Sequence, residues 1–401
     1  MTLHAGHERP GSWQDQGVAV KEGWTLKLLG DVCDFQRGLT YSKSDEVDIS
    51  ANVVLRATNI DLATNTLALD ELKHISDKTF VPDIKKVKNG SLMICMASGS
   101  KGHLGKVAYI DRDYGFAFGG FMGLITAREN LLPRYLFHLM TSKGYKDFIS
   151  GLSDGANINN LTFDKLRAFP IPVPPLPEQQ RIVDLLDEVF EALATAKSNT
   201  EQNLQNASAL FECHLDSVFS QPGEGWAEAT LGETCEMYQP KTISTKELVP
   251  DGPYSVFGAN GIIGRYDKFN HEEPQLLVTC RGATCGSVNI SHPKSWITAN
   301  AMVVRPKDHA LDLRFLEFVF RGGVDLSVAI TGSAQPQITR TNLSTLLIRF
   351  PVDISEQIRV AETFQALAAE IKHLTSIYER KLAAVEELKT SLLHQAFSRE
   401  L

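Results

Sequence analysis

The chain has little cysteine and no pair of cysteines at a metal-binding or redox spacing. The six present (Cys33, Cys95, Cys213, Cys235, Cys280 and Cys285) form no Cys-x-x-Cys and have no histidine at zinc spacing. Free thiols in a reducing cytoplasm are therefore expected. No run of 18 apolar residues occurs, so no membrane span or membrane partner is expected. The opening MTLHAGHERPGSWQDQGVAV lacks an apolar core and reads as a polar tail over residues 1–22, not as a secretory signal. Catalytic motifs are missing too. No Asn/Asp-Pro-Pro-aromatic segment of the amino-methyltransferases exists. GSKGHLGKV departs from a phosphate-binding loop at Ser100 and Val107, and GANGIIG from Gly258 lacks Gly-x-Gly. No suitable Pro-Asp precedes Glu71-Leu72-Lys73 nearby, as a nuclease site would need. The chain is thus not expected to be an enzyme, nor to bind a cofactor or metal itself. An overall cationic excess is also absent: 401 residues carry a net charge of −8.

What the chain does have is an internal repeat. FPIPVPPLPEQQRIV, opening the stretch Phe169–Ser220, answers FPVDISEQIRV, opening Phe350–Ser398. From Glu178 the two copies align without a gap at a shift of 178 residues, so that Glu178, Gln179 and Arg181 meet Glu356, Gln357 and Arg359. Apolar or small residues follow in steps of 4 and 3, with one hit missing at Lys381 and at its equivalent in the first copy: Ile182, Leu186, Val189, Leu193, Ala196, Thr200, Ala207 and Leu210, and in the second copy Val360, Phe364, Leu367, Ile371, Leu374, Tyr378, Val385, Leu388 and Leu392. This spacing predicts two long helices that share a coiled-coil seam. Pro175 and Pro177 precede the first, and Ser355-Glu356 opens the second. At about 1.5 Å per residue, each would be roughly 60 Å long.

The segments before the helices are also copies. GWTLKLLGDVC from Gly23 matches GWAEATLGETC from Gly225, and Ser91–Ile110 matches Gln275–Ser291 as strand, Gly-rich turn and strand, a β-hairpin pattern. RYLFHLM matches RFLEFVF as a helix, and GANINNLTFDKLRAFPIP matches GSAQPQITRTNLSTLLIRFP. Trp24, Trp226, Cys33 and Cys235 recur at equivalent places and read as core. Charge is uneven: residues 1–170 carry +1 and 221–350 carry −1, but 171–220 carry −6 and 351–401 carry −2. The acidity lies on the helices, while the globular parts keep room for local basic faces.

This layout resembles the specificity subunit of type I restriction–modification systems. The proline-rich link into Glu-Gln-x-Arg, found twice, the GWxxxxLG openings and the GSAQPQI segment carry the resemblance from Gly23 to Leu401. It implies an α+β chain of two tandem, mostly-β target-recognition domains (23–170 and 221–350). Two conserved spacer helices (171–220 and 351–401) would join them as an antiparallel coiled coil with pseudo-two-fold symmetry. It also implies double-stranded DNA, two methyltransferase subunits and restriction subunits as partners. S-adenosylmethionine would sit on the methyltransferase, and ATP and magnesium on the restriction subunit. Because the domains are diverged copies, the DNA site should be two-part and asymmetric. Two other readings remain open: a specificity subunit of another restriction–modification type, and a coiled-coil protein-interaction scaffold.

Base readout needs Arg or Lys for guanine and Asn or Gln for adenine. In the first module the candidates are the polar turn Ser98, Ser100, Lys101, His103 and Lys106; then Arg37, Tyr41, Lys43, Arg56, Thr58 and Asn59; and the amide cluster Asn157, Asn159 and Asn160, which could equally be capping residues. In the second they are Lys241, Thr242, Asn260, Arg265, Arg281, Thr284, Gln335, Gln337 and Arg340. Some of these would touch only phosphate, which positions without specifying.

Overall fold

The computed structural model describes residues 23–98, 103–152, 160–258, 260–308, 310–332 and 335–398. They form two compact units. One combines the described residues through Ser198 with those from Leu382 onward; the other is Asn199–Lys381.

In the first unit, strand Thr25–Leu28 pairs antiparallel with Pro170–Val173, which closes the module on itself. A four-stranded antiparallel sheet runs in the order Cys33–Arg37, Met122–Ala127, Leu92–Cys95, Val107–Tyr109. Strand Leu92–Cys95 is buried on both faces, which is why it reads as the unbroken apolar run LMIC. Its alternate side chains serve two cores. Leu92 and Ile94 face helix Pro133–Thr141, whereas Met93 and Cys95 join Leu55, Ile60 and Phe118 beneath a second sheet. The second unit repeats the plan. Trp226–Thr230 pairs with Leu347–Pro351, and the four-stranded sheet runs Cys235–Tyr238, Ala301–Pro306, Leu276–Thr279, Val288–Ile290. Both expected hairpins are present as antiparallel pairs. Trp24 and Trp226 pack against the cores, and Cys33 and Cys235 lie inside them, where burial pushes their thiols up to about 12 and about 11.

The long helices span Leu176–Ser220 and Ile354–Ser398, each beginning two residues before the expected Glu. Asp353, not Ser355, caps the second by accepting the Ser355 N–H. In the first unit the start of one helix (Ile182, Val183, Leu186) shares a core with the end of the other (Leu393, Ala396, Phe397), and Lys197 bonds Glu386 at 2.9 Å. In the second unit the roles reverse: Leu215 and Phe219 meet Ala361 and Phe364. The pairing is antiparallel in each unit. The expected seam needs one correction. Leu210 and Leu388 are 64% and 46% exposed, and the inward positions run 207, 211, 215 and 385, 389, 393. Two steps of four in succession rotate the apolar stripe. The rotation occurs where each helix enters the core of a module while still packing against its partner. Ala196 is also exposed, with Lys197 the more buried neighbour.

The repeated Gln of the boundary motif is a structural clip. Gln179 is fully buried; its Oε1 accepts the Leu132 N–H at 2.8 Å, and its Nε2 donates to the Asn130 and Pro174 carbonyls at 3.0 and 2.8 Å. Gln357 repeats all three bonds, to the Asp312 N–H (2.8 Å) and the Ala310 and Pro351 carbonyls (3.1 and 2.8 Å). The flanking Glu178–Arg181 and Glu356–Arg359 pairs lie at the surface.

The units differ at a polar site beside the first long helix. In the first, buried His138 bonds Asp187 through Nε2 at 2.7 Å, and Arg134 bonds the same carboxylate. Burial alone would raise the Asp187 carboxyl, but the bonds from His138 and Arg134 hold it at about 2. His138 Nδ1 is buried without a partner, so a second ring proton there would have no acceptor; burial holds the imidazole below its ordinary range. A folded pKa below the unfolded one means that the unfolded chain takes up the proton first. The first unit should therefore lose stability as pH falls through about 6.5, the ordinary histidine value. The Asp187 share should go only between about pH 4 and 2. Denaturant unfolding at pH 7.5 and 5.5 should show this loss in the wild type and not in His138→Phe, which installs the residue of the equivalent Phe318.

Candidate nucleic-acid interface

At one end of the second unit's four-stranded sheet, two distant segments are tied together. The Ile338 N–H donates to the Cys280 carbonyl at 2.9 Å and the Gly282 N–H to the Pro336 carbonyl at 3.1 Å, so that Arg281 and Gln337 face each other across an antiparallel bridge. Residues so placed project to the same side. Gly282 holds φ +90°, which lets the chain turn directly after Arg281. Thr339 caps helix Arg340–Ser344 through the Asn342 N–H and sets Arg340 at its first position. With Tyr238, Gln239 and Met302 these residues line a cleft of about 390 Å³. Its Tyr238 wall is fixed: the hydroxyl meets His271 Nε2 at 2.8 Å and accepts from Arg305 at 3.0 Å. Two guanidiniums and two carboxamides, with no carboxylate among the lining residues, make a cationic, hydrogen-bonding cleft. That is the donor and acceptor set that reads guanine and adenine edges.

Of the candidates read from sequence, Arg281, Gln337 and Arg340 come together here. Gln335 and Thr284 are exposed on adjoining loops, and Lys241, Thr242 and Asn260 are exposed outside the cleft. Arg265 has a different role: its guanidinium donates to the Gly252 and Pro253 carbonyls, the latter at 2.9 Å, and holds a turn against its own strand. In the first unit Arg37, Lys43, Arg56, Thr58 and Asn160 are exposed, Asn160 bridging Ala97 as Gln337 bridges Arg281. Tyr41 is half-buried against the second sheet's core. Asn59 is a correction. It is 2% exposed, its amide donates to the Ala68 and Glu71 carbonyls, and its oxygen accepts the Arg56 N–H, which leaves nothing for a base. Lys106 is half-buried and donates to the Ile60 carbonyl at 3.4 Å, with burial lowering its pKa. Ser98 and His103 are half-buried, while Ser100, Lys101, Asn157 and Asn159 lie outside the described residues.

Tyr238, Gln239 and Thr339 were not singled out from sequence. Their only signal is position, Tyr238 and Gln239 just after the paired segment that ends at Cys235 and Thr339 at a helix cap.

The model of the family described as type I restriction modification DNA specificity domain matches residues 21–205 and 223–380. The chain belongs to that family. Each matched specificity domain takes in one module and part of the long helix that follows it. The chain is similar to the StySPI specificity subunit of Salmonella potsdam, 24% identical over 423 aligned positions that cover 95% of this chain and 90% of that one. It is also similar to the EcoKI specificity subunit of Escherichia coli K12, 30% identical over 186 positions that cover 46% and 39%. Among solved structures, a chain from work on complex assembly and conformational transition of the type I R-M system matches with a TM-score of 0.76 at 20% identity, covering 96% of this chain and all of that one. The HsdS subunit from Thermoanaerobacter tengcongensis matches at 0.60 and 20%, covering 95% and 98%. These two likenesses establish a shared fold of two tandem specificity domains with long helices. By family, this is a non-catalytic DNA-recognition chain. No helix among the described residues is long and apolar enough to cross a membrane.

Proposed function

We propose that the two specificity domains each read one half of a two-part, asymmetric DNA site, and that the paired helices fix the gap between the halves and dock two methyltransferase subunits. The observation that carries this reading is the cationic cleft of Arg281, Gln337 and Arg340, which the first unit's frame repeats with other residues. The chain carries no catalysis of its own. Adenine methylation would come from partners holding S-adenosylmethionine, and cleavage from restriction subunits using ATP and magnesium, all in the cytoplasm.

The test is methylome sequencing of a methylation-free host that expresses this chain with its neighbouring methyltransferase. A two-part asymmetric motif with a fixed gap is expected. Unmodified DNA despite a stable complex of the two proteins would overturn the reading in favour of a scaffold.

The docking half of the proposal has its own support. Leu210 and Leu388 stand at equivalent helix positions, and both face outward. A leucine buried on docking contributes about 1.5–3 kcal/mol, so a lysine in its place should weaken its own site by at least tenfold. Native mass spectrometry should find one methyltransferase bound to Leu210→Lys or Leu388→Lys, and none to the double variant.

A further inference from the structure

The first unit repeats the backbone of the cleft but not its chemistry. The Leu161 N–H donates to the Met96 carbonyl (2.7 Å) as Ile338 does to Cys280, and the Met96 N–H donates to the Phe121 carbonyl (2.9 Å) as Cys280 does to Asn300. Ala97 thus stands for Arg281, Phe121 for Asn300, Asn160 for Gln337, and Phe163 for Arg340. The last substitution closes the space: a Cβ on Gly123 would lie 2.9 Å from the Phe163 ring, which packs 5.5 Å from Phe35. Of the cleft's two guanidiniums and two carboxamides, the guanidinium positions have become apolar (Ala97 and Phe163), Asn160 keeps an amide, and Arg37 stands for Gln239.

Phe121 is the unexpected member. It is 74% exposed at the tip of a turn that cannot move far. The Met122 N–H bonds the Gly119 carbonyl at 2.8 Å, Leu39 bridges Gly119, and Gly38 lies so close that any Cβ would fall 2.0 Å from the Gly119 oxygen. A phenyl presented to solvent on a fixed backbone, across the Met96-Ala97 segment from the exposed Asn160, is preorganised for a partner with one apolar and one hydrogen-bonding feature. An A·T pair in the major groove has both, the thymine 5-methyl and the adenine N6/N7 edge.

Resting on the function proposed above, we infer that Phe121 is a base contact of the first module, lying against a thymine methyl in its half-site, with Asn160 placed for an adenine edge. The two halves of the site are then read by different side chains, a phenyl and an amide in the first module against two guanidiniums and two carboxamides in the second.

The test uses the whole chain in complex with its methyltransferase. Duplexes carrying the methylated motif are made with each thymine of the first module's half-site replaced singly by deoxyuridine, which lacks only the methyl. One replacement should weaken binding by the wild-type complex about fourfold, the worth of one buried methyl group. It should not affect Phe121→Ala, and Phe121→Leu should keep part of the discrimination. The methylome of Phe121→Ala should relax at that same position and nowhere else. If no single deoxyuridine weakens the wild type, or the wild type and Phe121→Ala lose equally, or the Phe121→Ala motif is unchanged, the inference is overturned while the two-part reading stands. If the wild-type complex yields no two-part motif, both fall.

Discussion

Gln357→Ala should destabilise the second unit by about 4 kcal/mol, more than any exposed change in the same helix. The side chain is fully buried, and its removal leaves three backbone groups without partners: the Asp312 N–H and the Ala310 and Pro351 carbonyls. Each buried, unsatisfied group costs about 1–3 kcal/mol, and the vacated volume adds to that. For a unit of this size the melting temperature should fall by on the order of 10 °C. Gln357→Glu should be worse, because a carboxylate would face the two carbonyls that the amide now satisfies. Arg359→Ala, two residues on, should have little effect, since its pair with Glu356 is exposed and screened by solvent. Calorimetry on the three variants separates the cases. Equal, small effects would mean that the Gln is replaceable by water. Gln179→Ala should do the same to the first unit.

Arg281→Ala and Gln337→Ala should each relax the recognised DNA motif at one position, in the half that changes when the second module is exchanged, and leave the other half and the gap alone. A bidentate contact to a base edge discriminates by about 1–3 kcal/mol, so methylation should spread to sites mismatched there. Arg340→Ala separates readout from anchoring. If its guanidinium meets phosphate, binding weakens across all sequences and the salt dependence of binding becomes shallower, with the motif intact. Methylome sequencing distinguishes these outcomes, because a relaxed motif and a uniformly weaker one look different. An unaltered motif in both Arg281→Ala and Gln337→Ala would remove the cleft from base readout.

The helices were legible because a gapless repeat compares the chain with itself, and what stands at Glu178, Gln179 and Arg181 recurs at Glu356, Gln357 and Arg359. The rotation of the seam at Leu210 and Leu388 was not. Helical period alone does not reveal where a helix begins to face a module as well as its partner. Asn59 was misread for a similar reason. A polar residue closing an apolar run looks exposed until the 68–71 segment folds over it. Arg281 and Gln337 were legible as residue types, but 56 positions of sequence separate them, and only the backbone bridge makes them neighbours. The Gln of the boundary motif was visible as a repeated letter, while its role depended on three carbonyl and amide partners supplied by other segments.

Each unit draws its core from both long helices, and this bears on how the protein is made. Leu393, Ala396 and Phe397 belong to the core of the unit that contains Trp24. On the ribosome, the first module therefore emerges hundreds of residues before the segment that covers it. It must wait, with the faces of Ile182 and Leu186 open, while the whole second module is synthesised. The second unit, contiguous from Asn199 to Lys381, has no such delay and can complete first. A premature stop shortly after Lys381 would thus damage the half of the protein that was translated earliest.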